Sequence, residues 1–317
     1  MKRYLAQRLL YALLILFMVS ILIFSIARLL PGDPIQAAAM MNMDLANEEI
    51  MEDLRAQFGL DQPVHVQYVI WIKDFFTGDW GTSFGSGEPV FMMFLRRLPV
   101  TLELFAGYVF WSFLIGFPLG VISAFKRNTV LDTAITSTAI IGISVPVIWE
   151  AIVLIYLFSV YYHIFPPSGY VPFSENPVEN ILGMVMPTFV LGTHTAGMYM
   201  RYVRSSLLEV LGQDYIRTAR AKGLKEICVI LRHAAKPAMI PVITVIGIDW
   251  GYVISGSFLV EYMFALPGFG RMGIDAIAAR DYPVIQATLL IVAIFILMVN
   301  LAVDLLYGYL DPRVRVK

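Results

Sequence analysis

Few residues of this chain have the type and spacing that chemistry needs, and they fall into three groups. The first is the run Gly81-Thr82-Ser83-Phe84-Gly85, which fits the G-x-S-x-G pattern of a nucleophilic serine. That chemistry requires a strand-turn-helix setting with an acid and a histidine aimed at the hydroxyl. No strand signal flanks Ser83, so a glycine-rich turn is the expected reading, with a membrane hydrolase as the weak alternative. The second group is His65, His163, His194 and His233 with the single cysteine, Cys228. They form no H-E-x-x-H pair and no cysteine-rich ligand set, and a lone cysteine excludes an intramolecular disulfide. No metal or other cofactor is expected in this chain. A G-x-x-x-x-G-K-[ST] phosphate loop is absent as well, so nucleotide would have to be bound by another protein.

The third group is acidic side chains inside apolar runs, where an ionised group costs roughly 3 kcal/mol on insertion scales. Glu103 and Asp304 lie near the ends of their runs and can reach water. Glu150 and Asp249 lie deeper. Glu150 follows Pro146 by four residues in "SVPVIWEA", where the proline frees a carbonyl and can bend a helix toward a cavity. Asp249 lies in "GIDWGYVISG", whose glycines suit close helix packing. Each is a candidate lining group of a substrate pathway, where a carboxylate can meet an ammonium or another cation. The alternative for each is a buried hydrogen-bond partner inside the bundle.

The elements that must hold these residues follow from composition. At 58% hydrophobic and 15% charged residues over 317 positions, with a mean hydropathy of +0.72, the chain is too apolar for water, and the bilayer must be its solvent. Taking about 20 apolar residues per crossing, six helices are expected, near residues 9–30, 100–125, 135–161, 181–200, 241–260 and 284–307: an all-α polytopic membrane protein. The first exceeds the length of a signal-peptide core and no A-x-A site follows, so it reads as a retained helix. With both ends inside, sixteen of the 23 Lys and Arg fall on the cytoplasmic side, as the positive-inside rule requires. The net charge of −1 adds little to this, and no nucleic-acid partner is expected.

Four segments result: a first helix at 1–30, an extracytoplasmic cap at 31–98, a five-helix core at 99–308 containing a cytoplasmic loop at 201–236, and a cytoplasmic tail at 309–317. The cap is acidic, with ten Asp and Glu against four Lys and Arg. It includes an expected helix in "NEEIMEDLRAQF", capped by Asn47 and stopped by Gly59. It is either a solvated shield for the helix ends or a docking surface for another protein.

The most polar interval is "DYIRTARAKGLKEICVILRHAAKP", residues 214–237. Asp214 suits an N-cap, residues 215–222 have helical composition, and Gly223 before Leu224 reads as a left-handed stop. So short a helix is marginal alone and must pack on something. Ile216 and Ala219 share one face, while Arg217 and Arg220 project elsewhere. A basic loop held by anionic lipid needs charge but no order of residues. A capped helix with a glycine stop suits instead a peg for a cytoplasmic partner, and both readings stand.

These residues resemble the cytoplasmic coupling loop of permease subunits in binding-protein-dependent ABC importers, in the form used by the dipeptide, oligopeptide and nickel group. The general loop is E-A-A, three residues, Gly, nine residues, then I-x-L-P. Here Ala219 and Gly223 match, Arg217 and Thr218 replace the first two letters, and the proline falls one place late at Pro237. "LLPGDP", "FGLDQP", "GDWGTSF", "LPGFGRMGIDAIAARDYPVIQ" and "NLAVDLLYGYLDPRVR" carry the likeness along the whole chain. The resemblance implies a permease in the bacterial inner membrane that works paired with a second, related permease. It implies two ATPase subunits that hold ATP and Mg and grip the coupling residues Asp214, Tyr215, Arg217, Thr218, Ala219, Arg220, Ala221, Lys222, Gly223 and Leu224. An extracytoplasmic binding protein would deliver the solute. A small peptide is the expected cargo, nickel or a metal chelate the runner-up, and an ATP-independent channel or secondary transporter the alternative of another class.

Overall fold

The computed structural model describes residues 2–29, 51–52 and 61–310. Among them the regular elements are helical, apart from one isolated bridge between Thr82 and Pro89. The principal helices are α1 (Lys2–Leu29), α2 (Val64–Thr77), α3 (Val90–Phe125), α4 (Val130–Ser144), α5 (Val147–Leu154), α6 (Pro177–Leu211), α7 (Asp214–Ala221), α8 (Glu226–Cys228), α9 (Ala235–Met263), α10 (Phe269–Ala279) and α11 (Tyr282–Leu310). Wider-pitched π-helical turns continue α5 through Ile155–Tyr161 and join α8 to α9 through Val229–Ala234. The cap helix expected around Asn47 and Gly59, and the tail beyond residue 310, lie outside the described residues.

Among the described residues five helices are long and apolar enough to cross a membrane, and α4 with α5 makes a sixth if that pair is one span. The pair is bent by 99°, so the uninterrupted crossing expected at 135–161 does not form. The cause is local. Val145 is extended at φ −75 and ψ 126, because the ring of Pro146 disfavours the helical region for the residue before it. Pro146 then serves as the N-cap of α5, where its missing N–H costs nothing.

The chain divides into two compact units, one of residues 1–8, 102–266 and 298–317, the other of residues 9–101 and 267–297. Residues 267–297 thus group with the chain before residue 102, whereas the linear division expected from the sequence assigns them to the 99–308 core. In the second unit the core is aromatic. The ring of Phe24 lies 5.5 Å from Tyr68, Phe75 stacks on Trp80 at 4.7 Å, and Phe94 meets Phe269 at 5.9 Å. The run "VHVQYVIWIKDFF" therefore forms a helix, α2, that packs on the first apolar helix.

In the first unit α6 is central, with sixteen of its residues buried. It starts cleanly because the Asn176 side chain accepts from the N–H groups of Val178 and Glu179 at 3.2 and 3.3 Å, and Pro177 occupies the first turn. Close approach to its neighbours depends on glycine. A methyl group on Gly197 would lie 2.8 Å from the carbonyl oxygen of Ala139 on α4, and one on Gly116 of α3 would lie 2.8 Å from that of Ala196. Both obstacles are backbone, so neither could turn aside. A bidentate ion pair, Arg204 to Asp132 at 2.8 Å for both bonds, further ties α6 to the first turn of α4.

Candidate functional site

Two of the intramembrane acids stand in one neighbourhood of the first unit. Asp249, on α9, is half-buried. Its Oδ2 accepts from the hydroxyl of Tyr199 on α6 at 2.8 Å and, over a short bond, from that of Tyr108 on α3. Both tyrosines are fully buried, and their oxygens lie 3.3 Å apart. Glu150, in the first turn of α5, accepts from Thr193 of α6 at 2.7 Å. His194 follows Thr193 on α6 and lines a cavity together with Asp249. Its Nδ1 is buried and without a hydrogen-bond partner among the described residues.

Asp249 and His194 line a cavity of about 640 Å³ whose wall continues along α6 through Thr195 and Met198 to Arg201. The space is open and lined by both polar and apolar side chains. Sequence reasoning missed Tyr108, Tyr199 and Thr193, since nothing local pairs a tyrosine with an acid 141 positions away. In the sequence His194 stands out only as one of four scattered histidines.

The other acids behave differently. Glu103 does not simply reach water: it accepts from Tyr170 at 3.0 and 3.1 Å and from Asn180 at 2.9 Å. Burial, with Glu103 beside it, pushes the Tyr170 hydroxyl up to about 12. Asp304 pairs with Arg8 at 3.2 Å. Ser83 is buried, donates to Asp281 Oδ2 at 2.5 Å and accepts from the Ser86 N–H at 3.1 Å. No histidine joins it among the described residues, and it closes a turn spanned by the Thr82–Pro89 bridge. These bonds anchor the turn.

The interval at 214–224 forms α7, of eight residues. Its N-cap is Gln213, not Asp214, and no side-chain bond caps it. Asp214 instead opens the first turn, where its charge suits the helix dipole, and pairs with Arg217 at 3.4 Å. Gly223 adopts φ +76 just past the last turn, the left-handed stop expected of it. Ile216 and Ala219 are buried, but against Val210, Leu211, Val229 and Ala234 of the same chain. Asp214, Tyr215, Arg217, Thr218, Arg220, Ala221, Lys222, Gly223 and Leu224 are exposed. Arg220 is held by Glu226 at 2.6 and 3.1 Å, so two of the basic groups here have acidic partners.

Comparison with known proteins agrees with this architecture. Residues 116–316 match the family described as binding-protein-dependent transport system inner membrane component, and residues 1–105 match its N-terminal counterpart. The dipeptide transport system permease protein DppB of Escherichia coli (strain K12) is 39% identical over 322 residues, covering 94% of each chain. A Brucella abortus (strain 2308) protein, provisionally named a peptide transport system permease, is 41% identical over 309 residues and 98% of each chain. Among solved structures, a chain of the MetNI methionine ABC transporter in an inward-facing conformation superposes with a TM-score of 0.57 at 18% identity. It covers 69% of this chain and 97% of its own, a likeness of fold.

Proposed function

Because the chain belongs to the family of binding-protein-dependent transport system inner membrane components, we propose that it forms one half of a multi-pass membrane path that carries small peptides inward, driven by ATPase subunits. The observation that carries the peptide reading is the 39 to 41% identity, over 94 to 98% of both chains, to relatives named as dipeptide or peptide permeases. It favours a peptide over nickel or a metal chelate. The other half of the path is a second permease, two ATPases supply ATP and Mg, and an extracytoplasmic binding protein delivers the cargo. This chain acts as a pore without a catalytic site of its own.

In this reading α4 and α5 together make one crossing and both termini are cytoplasmic, with the segment at 31–98 outside. The exposed ridge of α7 enters an ATPase groove. Ala219 contributes by seating the helix on its own chain rather than by direct contact with the ATPase. The ion pairs of Arg217 and Arg220 weaken the lipid-anchor alternative, because paired cations attract anionic headgroups less. Glu150 and Asp249 face the pathway. The test is uptake of a labelled dipeptide by vesicles holding this permease, its paired permease, the ATPases and the binding protein. ATP-dependent accumulation is expected. Flux that persists without ATP and without the ATPases would instead make the chain a channel or an ion-coupled carrier.

A further inference from the structure

Asp249 is built in an unusual way for a carboxylate among helices. Two fully buried tyrosines donate to the same oxygen, Oδ2, which fixes the group in place without a cationic side chain bonded to it among the described residues. Oδ1 takes no hydrogen bond from those residues, although the carboxylate lines the cavity. Beside it the buried Nδ1 of His194 is also without a partner. Asp249 Oδ1 and His194 Nδ1 therefore stand at one end of a roomy cavity, and a buried unpaired nitrogen such as Nδ1 calls for a ligand or water.

The other end of the same wall carries the opposite charge. Arg201 is exposed and has no ion pair among the described residues, whereas Arg204, three residues on, is committed to Asp132. Arg201 follows His194 by seven residues, which returns it to the same helix face two turns away, roughly 10 Å along the axis. A planar guanidinium suits a carboxylate in two-pronged contact. An extended peptide covers at most about 3.5 Å per residue, so two to three residues bridge an anion and a cation set at this spacing.

Resting on the peptide-import reading, we propose that this cavity docks a short, unmodified peptide by its two ends, the α-ammonium at Asp249 Oδ1 beside His194 and the α-carboxylate at Arg201. The helices then select for free termini and for length, independently of any selection by the binding protein. Side chains of the cargo meet Thr195 and Met198 between the two charges and are read weakly, which suits a carrier of many sequences.

The test separates this site from the binding protein. In a Cys228→Ser background a cysteine is placed at Met198, and the purified permease–ATPase complex in nanodiscs, without binding protein, is labelled with a maleimide. Trialanine is expected to slow labelling at least about tenfold more effectively than N-acetyl-trialanine or trialanine amide, as loss of a charge-assisted contact requires. Asp249→Asn should abolish the discrimination against the acetylated peptide and leave that against the amide. Arg201→Gln should do the reverse, and Arg201→Lys should restore part of it. Equal protection by all three peptides, or discrimination that survives both substitutions, would overturn the proposal. Absence of protection by trialanine in a complex that still imports it with its binding protein overturns this site alone. Failure of peptide import in the complete system is the different result that defeats the functional reading beneath it.

Discussion

The seat of α7 gives the sharpest quantitative expectation. Ile216 is fully buried in a small cluster with Ala219, Val229 and Ala234, and truncating a core isoleucine to alanine costs about 2–5 kcal/mol. An eight-residue helix has no stability of its own to set against that loss, since isolated helices shorter than about 12–15 residues are marginal in water. Ile216→Ala should therefore open α7 locally while leaving the spans inserted. At about 1.4 kcal/mol per factor of ten, even the lower bound corresponds to roughly 30-fold faster amide exchange. The assay is hydrogen exchange by mass spectrometry on the nanodisc complex, read over residues 216–223, with ATP hydrolysis and uptake measured on the same sample. Faster exchange confined to that segment, with hydrolysis no longer matched to uptake, is expected. Gly223→Val should act more mildly and by another route. Space around Gly223 is open, so its cost is that of forcing a branched residue into a left-handed conformation, about 1–2 kcal/mol. Unchanged exchange in Ile216→Ala would refute the packing account. Fast exchange with full coupling would refute the idea that an ordered α7 transmits the ATPase cycle.

Cysteines placed near Glu49 should react with impermeant reagent from outside and those near Lys225 only after the membrane is opened; the reverse, or reaction of both from one side, would rule out six crossings in the proposed orientation. Gly197→Ala should destabilise the α4–α6 contact by about 1–3 kcal/mol, as overpacking does, whereas Gly142→Ala, with open space around it, should not; detergent melting of the two variants distinguishes them. Glu150→Gln should lower uptake without loss of the ATPase subunits from the purified complex, and wild-type kinetics would return Glu150 to packing. Tyr170 holds its proton to about pH 12 in the fold against 10.0 for an ordinary tyrosine. Its contribution is therefore complete below pH 10 and lost between 10 and 12, and Tyr170→Phe should remove that part of the alkaline melting profile.

The helical class and most spans are legible because a bilayer leaves the backbone few options, and long apolar runs announce themselves. Prolines are not legible to the same degree. Pro187 and Pro241 lie inside α6 and α9, which continue through them, whereas Pro146 separates two helices at 99°. The residue itself is the same in each case. What differs is the backbone of the residue before the proline, extended at Val145 and helical before Pro187 and Pro241, and the proline alone does not announce which. The start of α7 was missed by one residue because Asp serves well both as a cap and in the first turn, where only geometry decides. The direction of Ala219 was missed for a related reason: a small residue on a short helix suits either a partner's groove or its own chain's floor, and periodicity reports a face without saying what covers it.

The polar residues of α6 place these findings in one physical frame. A helix carrying Asn180, Thr188, Thr193, His194, Thr195, Arg201 and Arg204 would be a poor choice to face lipid, and sixteen of its 35 residues are buried. Its polar groups are spent in order along its length. Asn180 binds Glu103, Thr193 binds Glu150, Tyr199 binds Asp249, and Arg204 binds Asp132. Each bond draws a carboxylate from a different helix, α3, α5, α9 and α4, so three acids that looked costly in the sequence, with Asp132, are the ties that gather four helices around a fifth. Glu103 and Asp132 are saturated by several donors, as groups with a structural task should be. Glu150 and Asp249 each retain an oxygen without a bond among the described residues, and Asp249 lines a cavity with His194, whose Nδ1 is unpartnered. A carboxylate needed only for packing would be expected to resemble the first pair, and the contrast within one helix's partners is the reason for assigning cargo to the second.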